Sequence, residues 1–249
     1  YMTYAMVTMA AGFFAFVFVL GKLSTEEKKR VAVIVVLFAF AAIFWSAFEQ
    51  APTALNLFAR DFTDRTVGGF EIPATWFQSI NPLLIILCAP LLAALWVGLA
   101  KRRGDLSAPA KFSLGLFLAG LGFLIMIFAA KEIVASGGTV LVSPWWLVGS
   151  YFFQSVGELC LSPVGLSSMT KLSPRKYVGQ MMGIWFLATS VGNLIAGLIG
   201  GNVDPEKLEQ TPVVFIGTTI ALIAAGILLA ALTPFIKKLI PDENKLVGE

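Results

Sequence analysis

The chain has 249 residues, 57% hydrophobic and 13% charged, with 18 basic and 15 acidic side chains and a net charge of +3. Its mean hydropathy is +0.84; soluble domains carry about 25% charged residues, so this composition excludes a soluble globular enzyme, a disordered tail and a nucleic-acid binder. The absence of histidine removes the commonest metal ligand and general base, and the distant pair Cys88 and Cys160 excludes a disulfide scaffold or a Cys-rich zinc site.

What remains is an all-α integral membrane protein. Seven stretches reach the roughly 20 residues that a membrane-crossing helix needs, at 1–21, 31–59, 74–100, 112–130, 143–170, 177–200 and 212–236. The first opens at Tyr1, already inside an apolar run. No basic n-region and no A-x-A site mark it as a signal peptide, and the chain is expected to begin partway through a longer protein. The second reads AAIFWSAFEQAPTALNLFARD. Pro52 lacks an N–H, so a helix break is expected beside Glu49. Glu49, Thr53 and Asn56 share one face by spacing, and Asp61 closes the span. In the third, Gln78, Ser79 and Asn81 cluster before Pro82, with a second kink site at Pro90. The fourth is plainly apolar. The fifth carries Tyr151, Ser155, Glu158 and Ser162 at spacings of 4, 3 and 4, a single polar stripe beside Pro163. The sixth holds Gly179-xxx-Gly183 and Gly197-xxx-Gly201, patterns of close helix packing, and a mid-span Trp185. The seventh contains no lysine.

Fourteen of the 18 basic residues fall on one side of this arrangement, and Arg60, Arg65, Lys131 and Lys207 on the other. Basic loops stay in the cytoplasm, so the N-terminus is expected outside and the C-terminus inside. Thirteen of the 15 acids sit at the two surfaces; Glu49 and Glu158 lie within apolar spans. A charge at that depth costs about 2.5–3.5 kcal/mol on insertion scales, so such acids face a cavity or a partner. The residue pattern leaves two readings open: structural carboxylates in a packed core, or part of a substrate or ion pathway. The same choice stands for Asn81 (interhelical bond or cavity lining), Trp185 (core aromatic or pocket wall) and Asp61 (solvated end charge or gate). No Walker A, G-x-S-x-G, H-E-x-x-H or G-x-G-x-x-G pattern is present.

The segments FWSAFEQAPTALNLFARD, WFQSINPLLIILCAPLLAALW, SVGELCLSPVGLS and GQMMGIWFLATSVGN, with SAPAKFSLG at the start of span four, resemble the proton-dependent oligopeptide transporter (POT) family of the major facilitator superfamily. The resemblance implies that spans two to seven are the C-terminal six-helix bundle. Span one would be the second of a pair of inserted helices. Residues 1–30 would then be that helix and a cytoplasmic linker, 31–240 the bundle, and 241–249 a cytoplasmic tail. The N-terminal six-helix bundle, which carries the family's E-x-x-E-R-F-x-Y-Y motif, would be the partner. Position by position, Glu158 matches the carboxylate that meets a peptide α-ammonium or a lysine of the other bundle. Asn81 matches a nearby polar contact, and Ser162 a cavity hydroxyl. Trp185 and Phe186 match the walls of a side-chain pocket, while Gln78 and Tyr151 complete the expected substrate-binding set. Glu49 matches a proton-coupling carboxylate, a role implied for Glu158 as well, and Asp61 an acid pairing with an arginine across the outer gate. The implied function is proton-coupled import of di- and tripeptides through a bacterial inner membrane by alternating access, with the proton as coupling ion and no other cofactor. The rivals are a same-fold transporter of a non-peptide solute and a seven-span receptor. The receptor lacks a lysine in the last span and any D-R-Y or N-P-x-x-Y signature.

Overall fold

The computed structural model describes residues 2–104, 106–200 and 208–240. The predicted tail at 241–249 and Gly201 of the second glycine pattern lie outside the described residues. The chain folds into helices, as expected: α1 (Met2–Leu20), α2 (Thr25–Phe48), α3 (Asn56–Phe62), α4 (Ile80–Arg103), α5 (Ala108–Ala135), α6 (Trp145–Leu172), α7 (Val178–Gly200) and α8 (Gln210–Leu239). Between α3 and α4 runs a two-stranded antiparallel hairpin, β1 (Thr66–Val67) and β2 (Phe70–Glu71). Its two-residue turn is Gly68-Gly69, both at positive φ, the geometry that a tight hairpin turn demands. Arg65 donates to the Ile72 carbonyl at 2.7 Å and pairs with Glu71 at 2.6 Å, fixing the hairpin at the end of α3.

Among the described residues, five helical stretches are long and apolar enough to cross a membrane: Thr25–Phe62, Ala74–Arg102, Ala108–Ala135, Arg175–Gly200 and Gln210–Leu239. α1 is apolar over its 19 residues. α6 has ample length at 28 residues, yet Gln154, Glu158 and its serines dilute its hydropathy. The helix with the polar stripe is thus the one that composition alone recognises least.

α5 is the central post of the bundle, packed along α6 and α8. Small residues permit this: a Cβ on Gly115 would stand 2.8 Å from the Gly157 carbonyl oxygen, and one on Gly157 would stand 2.7 Å from that of Gly115. α7 lies against α2 in the same manner, at Gly192 and Gly200 rather than at the predicted patterns. A Cβ on Gly192 would come 2.5 Å from the Trp45 Cβ, and one on Gly200 2.6 Å from the Thr53 Cβ. Gly179, Gly183 and Gly197 face no atom within 4 Å. A four-residue glycine spacing marks a smooth strip on one helix, and among the described residues no second helix presses against these three glycines. α1 reaches the bundle through Phe14, whose ring meets Phe38 edge-on at 5.7 Å. The Lys176 ammonium donates to the Gly21 carbonyl just beyond α1. A capping box of Ser24 and Glu27 then starts α2.

Candidate functional site

α6 presents its stripe toward α4. Gly157 seats the helix on α5, and the next residue, Glu158, emerges about 100° around the axis. Asn81, in the first turn of α4, bridges the two helices. Its amide donates to Ser155 Oγ at 3.0 Å and to Glu158 Oε2 at 3.1 Å. Ser155 Oγ in turn donates to the Tyr151 carbonyl at 2.7 Å. The Tyr151 hydroxyl and Ser162 Oγ, above and below Glu158 on the stripe, are buried and have no hydrogen-bond partner among the described residues. Among the described residues no lysine or arginine pairs with Glu158. Gln78 is half-buried in the short helical turn Ala74–Ser79 ahead of α4 and makes no hydrogen bond to the cluster.

Glu49 sits where α2 stops being an α-helix. The chain passes through a turn at Glu49 and Gln50 and a π-helical turn at Ala51–Leu55 before α3 resumes. Pro52 removes the N–H that the Phe48 carbonyl would accept. Side chains replace lost backbone donors on either side. Gln50 Nε2 donates to the Ser46 carbonyl at 3.3 Å, and Thr53 Oγ1 to that of Glu49 at 3.5 Å. Gln50 Nε2 also reaches Thr218 Oγ1 on α8 at 3.1 Å. The predicted break is present, and its side-chain replacements tie it to neighbouring helices. The Glu49 carboxylate turns to α7, where Asn193 Nδ2 donates to Oε2 at 3.3 Å. α2, which Glu49 caps, also touches α6, which carries Glu158. The two intramembrane acids thus sit on helices that pack together.

Three of the predicted site residues have surroundings that their spacing alone does not show. Trp185 is only 4% exposed. Its indole fills the slot left by Gly165, where a Cβ would collide with the ring, and meets Phe112 edge-on at 6.1 Å. It is a core aromatic, and its neighbour Phe186, 60% exposed, is the one presented outward. Tyr151, 2% exposed, is likewise withdrawn behind the stripe. Asp61 accepts from adjacent Arg60 at both its oxygens, at 2.7 and 2.9 Å. Asn193, Gln50 and Thr218 went unassigned from sequence, since their roles depend on which residues face them across helices. Among the described residues no group of three His, Cys, Asp or Glu side chains could hold a metal.

Comparison with known proteins bears on this arrangement. The profile of the POT family matches residues 3–214. The peptide transporter YePEPT of Yersinia enterocolitica is 47% identical over 234 residues, covering 94% of this chain and 46% of that protein. Dipeptide and tripeptide permease B of the same species is 34% identical over 223 residues, covering 86% and 44%. The crystal structure of a peptide transporter POT in complex with sulfate superposes with a TM-score of 0.85 at 37% identity, over 96% of this chain and 46% of that one. The chain therefore spans about half the length of the curated relatives it matches.

Proposed function

The chain belongs to the POT family, and on that premise we propose that it is the C-terminal half of a proton-coupled symporter that imports di- and tripeptides. In this reading residues 31–240 form the C-terminal bundle, 1–30 an inserted helix and its linker, and 241–249 a cytoplasmic tail. The basic side faces the cytoplasm of a bacterial cell, across its inner membrane. Peptide binds between this bundle and the N-terminal one, and the two rock against each other to alternate access. Inward movement of a proton contributes roughly 2.3 kcal/mol per 100 mV of membrane potential.

One observation carries the proposal. Glu158 is fixed by a neutral amide donor and, among the described residues, has no cationic partner. A carboxylate at membrane depth needs a positive counterpart. A peptide's free ammonium supplies one, and so does a lysine or arginine of the other bundle when the site is empty. Asn81, Ser162, Gln78 and Phe186 complete the substrate contacts, with Trp185 and Tyr151 supporting them from behind. Glu49 exchanges the coupling proton, and its state changes the charge that Glu158 feels. Asp61, with Arg60, stands at the outer end of the moving segment.

The test uses the complete transporter in proteoliposomes. Glu158→Gln lowers proton-driven dipeptide uptake at least tenfold; uptake at the wild-type rate removes Glu158 from the mechanism. N-acetylated dipeptides compete poorly with labelled dipeptide; equal competition sinks ammonium recognition.

A further inference from the structure

Ser155 is fully buried on α6, one turn before Glu158, and its hydroxyl serves two helices. Oγ donates to the Tyr151 carbonyl at 2.7 Å, the backward bond by which a serine satisfies itself inside a helix. A hydroxyl has one proton, so towards Asn81, whose Nδ2 stands 3.0 Å away, Oγ acts only as an acceptor. An ionised Glu158 is likewise an acceptor only, with Oε2 at 3.1 Å from the same Nδ2. Both partners therefore demand the same face of the Asn81 amide. Nδ2 is turned to α6, and Oδ1, on the opposite face, accepts no hydrogen bond among the described residues. Asn81 and Glu158 are both half-buried and remain within reach of a ligand, whereas Ser155 does not.

The two acceptors are not equivalent. A protonated Glu158 has a donor of its own, and an amide turned the other way round then accepts it through Oδ1. Ser155 gives no such alternative, because turning its proton towards Asn81 forfeits the Tyr151 bond. We propose that Ser155 is a positioning residue for peptide binding. It locks the Asn81 amide one way round whatever the state of Glu158, and so keeps Oδ1 free as a second acceptor for the substrate ammonium beside the Glu158 carboxylate. The inference rests on the reading of Glu158 as the ammonium's partner. A primary ammonium has an N–H for each of these acceptors and one to spare. Ser155 does not touch the peptide and acts through Asn81.

The test measures dialanine uptake by the complete transporter in proteoliposomes. Ser155→Ala removes one oxygen and adds no atom, so α6 stays packed. It raises the KM about three- to tenfold, the effect of one neutral hydrogen bond, and leaves the maximal rate within about twofold of the parent. In an Asn81→Ala background the same change has no further effect on KM, because the residue it acts through is gone. N,N-dimethylated dialanine keeps the positive charge with a single N–H and reads the second acceptor directly. Its inhibition constant, relative to that of dialanine, is about threefold or more higher in the parent than in Ser155→Ala, since only the parent holds Oδ1 in place for a second N–H. An unchanged KM in Ser155→Ala, Ser155 and Asn81 effects that add, or equal relative constants in the two proteins overturns the assignment of Ser155. Failure of the underlying reading shows differently: Glu158→Gln then takes up dialanine at the parental rate.

Discussion

Glu158 and Glu49 share a kind of partner and differ in the backbone beneath them. Each acid receives an asparagine amide from another helix, Asn81 at 3.1 Å and Asn193 at 3.3 Å. Each also lies near a glycine contact that presses two helices together, Gly157 on α5 for one and Gly192 on α2 for the other. Glu158 stands within one continuous 28-residue helix. Glu49 stands at the last turn of α2, where α geometry gives way to a π-helical turn. A fixed backbone holds a carboxylate in constant geometry, which suits recognition. A broken one can re-aim its carboxylate at small cost, which suits a proton-dependent change of shape. In our reading, the bundle separates binding from movement by placing one acid on a beam and the other on a joint.

The largest effect comes from disturbing the beam. In Gly157→Leu the new Cβ would stand 2.7 Å from the Gly115 carbonyl oxygen and 3.2 Å from the Ala119 nitrogen. Backbone cannot yield as a side chain does, so α6 must lift from α5 and carry Glu158 with it. Overpacking of this kind costs about 1–3 kcal/mol or more. The melting temperature of the complete transporter falls by several degrees and dipeptide uptake is lost. An unchanged melting temperature breaks the view of α6 as a rigid support.

Next is the joint. Pro52→Ala returns an N–H to the Phe48 carbonyl, and alanine is about 3 kcal/mol more favourable than proline in a helix interior. The variant is expected to be at least as stable as the parent, yet its maximal rate of driven uptake falls severalfold, with KM for dipeptide within twofold. Proteoliposome uptake alongside thermal unfolding gives both numbers. A stable variant with undiminished rate would show that the break has no part in movement.

These contrasts were only partly legible in the sequence. The two acids stood out because a charge in an apolar run is costly, and the α2 break followed from Pro52 lacking a donor. Both are local facts. The Arg60–Asp61 pair is local too, between adjacent residues. Contacts set by the register of one helix against another were hidden. Trp185 and Phe186 are neighbours about 100° apart on one helix, and which one turns inward depends on a slot at Gly165 on another helix. The glycine pairs were visible, but only a facing helix makes a glycine a contact; α2 faces Gly192, and the π-helical turn after it faces Gly200. Asn193 was an amide in mid-span with no sign that Glu49 lay opposite. The stripe on α6 showed its chemistry while lowering its hydropathy as a span.

Asn81→Leu and Asn193→Leu probe the pair more gently, and the second is the smaller change. Asn81 gives one amide to two acceptors on α6, one of them a carboxylate. Hydrogen bonds to charged groups contribute about 1.5–3 kcal/mol, so its loss raises the KM for dipeptide about tenfold or more. Asn193 makes a longer bond to a half-buried acid and is itself exposed, so water replaces much of what leucine removes. The net loss is about 1 kcal/mol or less, equivalent to a rate change of roughly fivefold at most. That change should appear in uptake driven by a proton gradient, because Glu49 serves the proton. It should be absent from peptide counterflow, in which no net proton moves, and from KM. If Asn193→Leu instead raises KM as Asn81→Leu does, both acids serve one binding site, and the division between beam and joint fails.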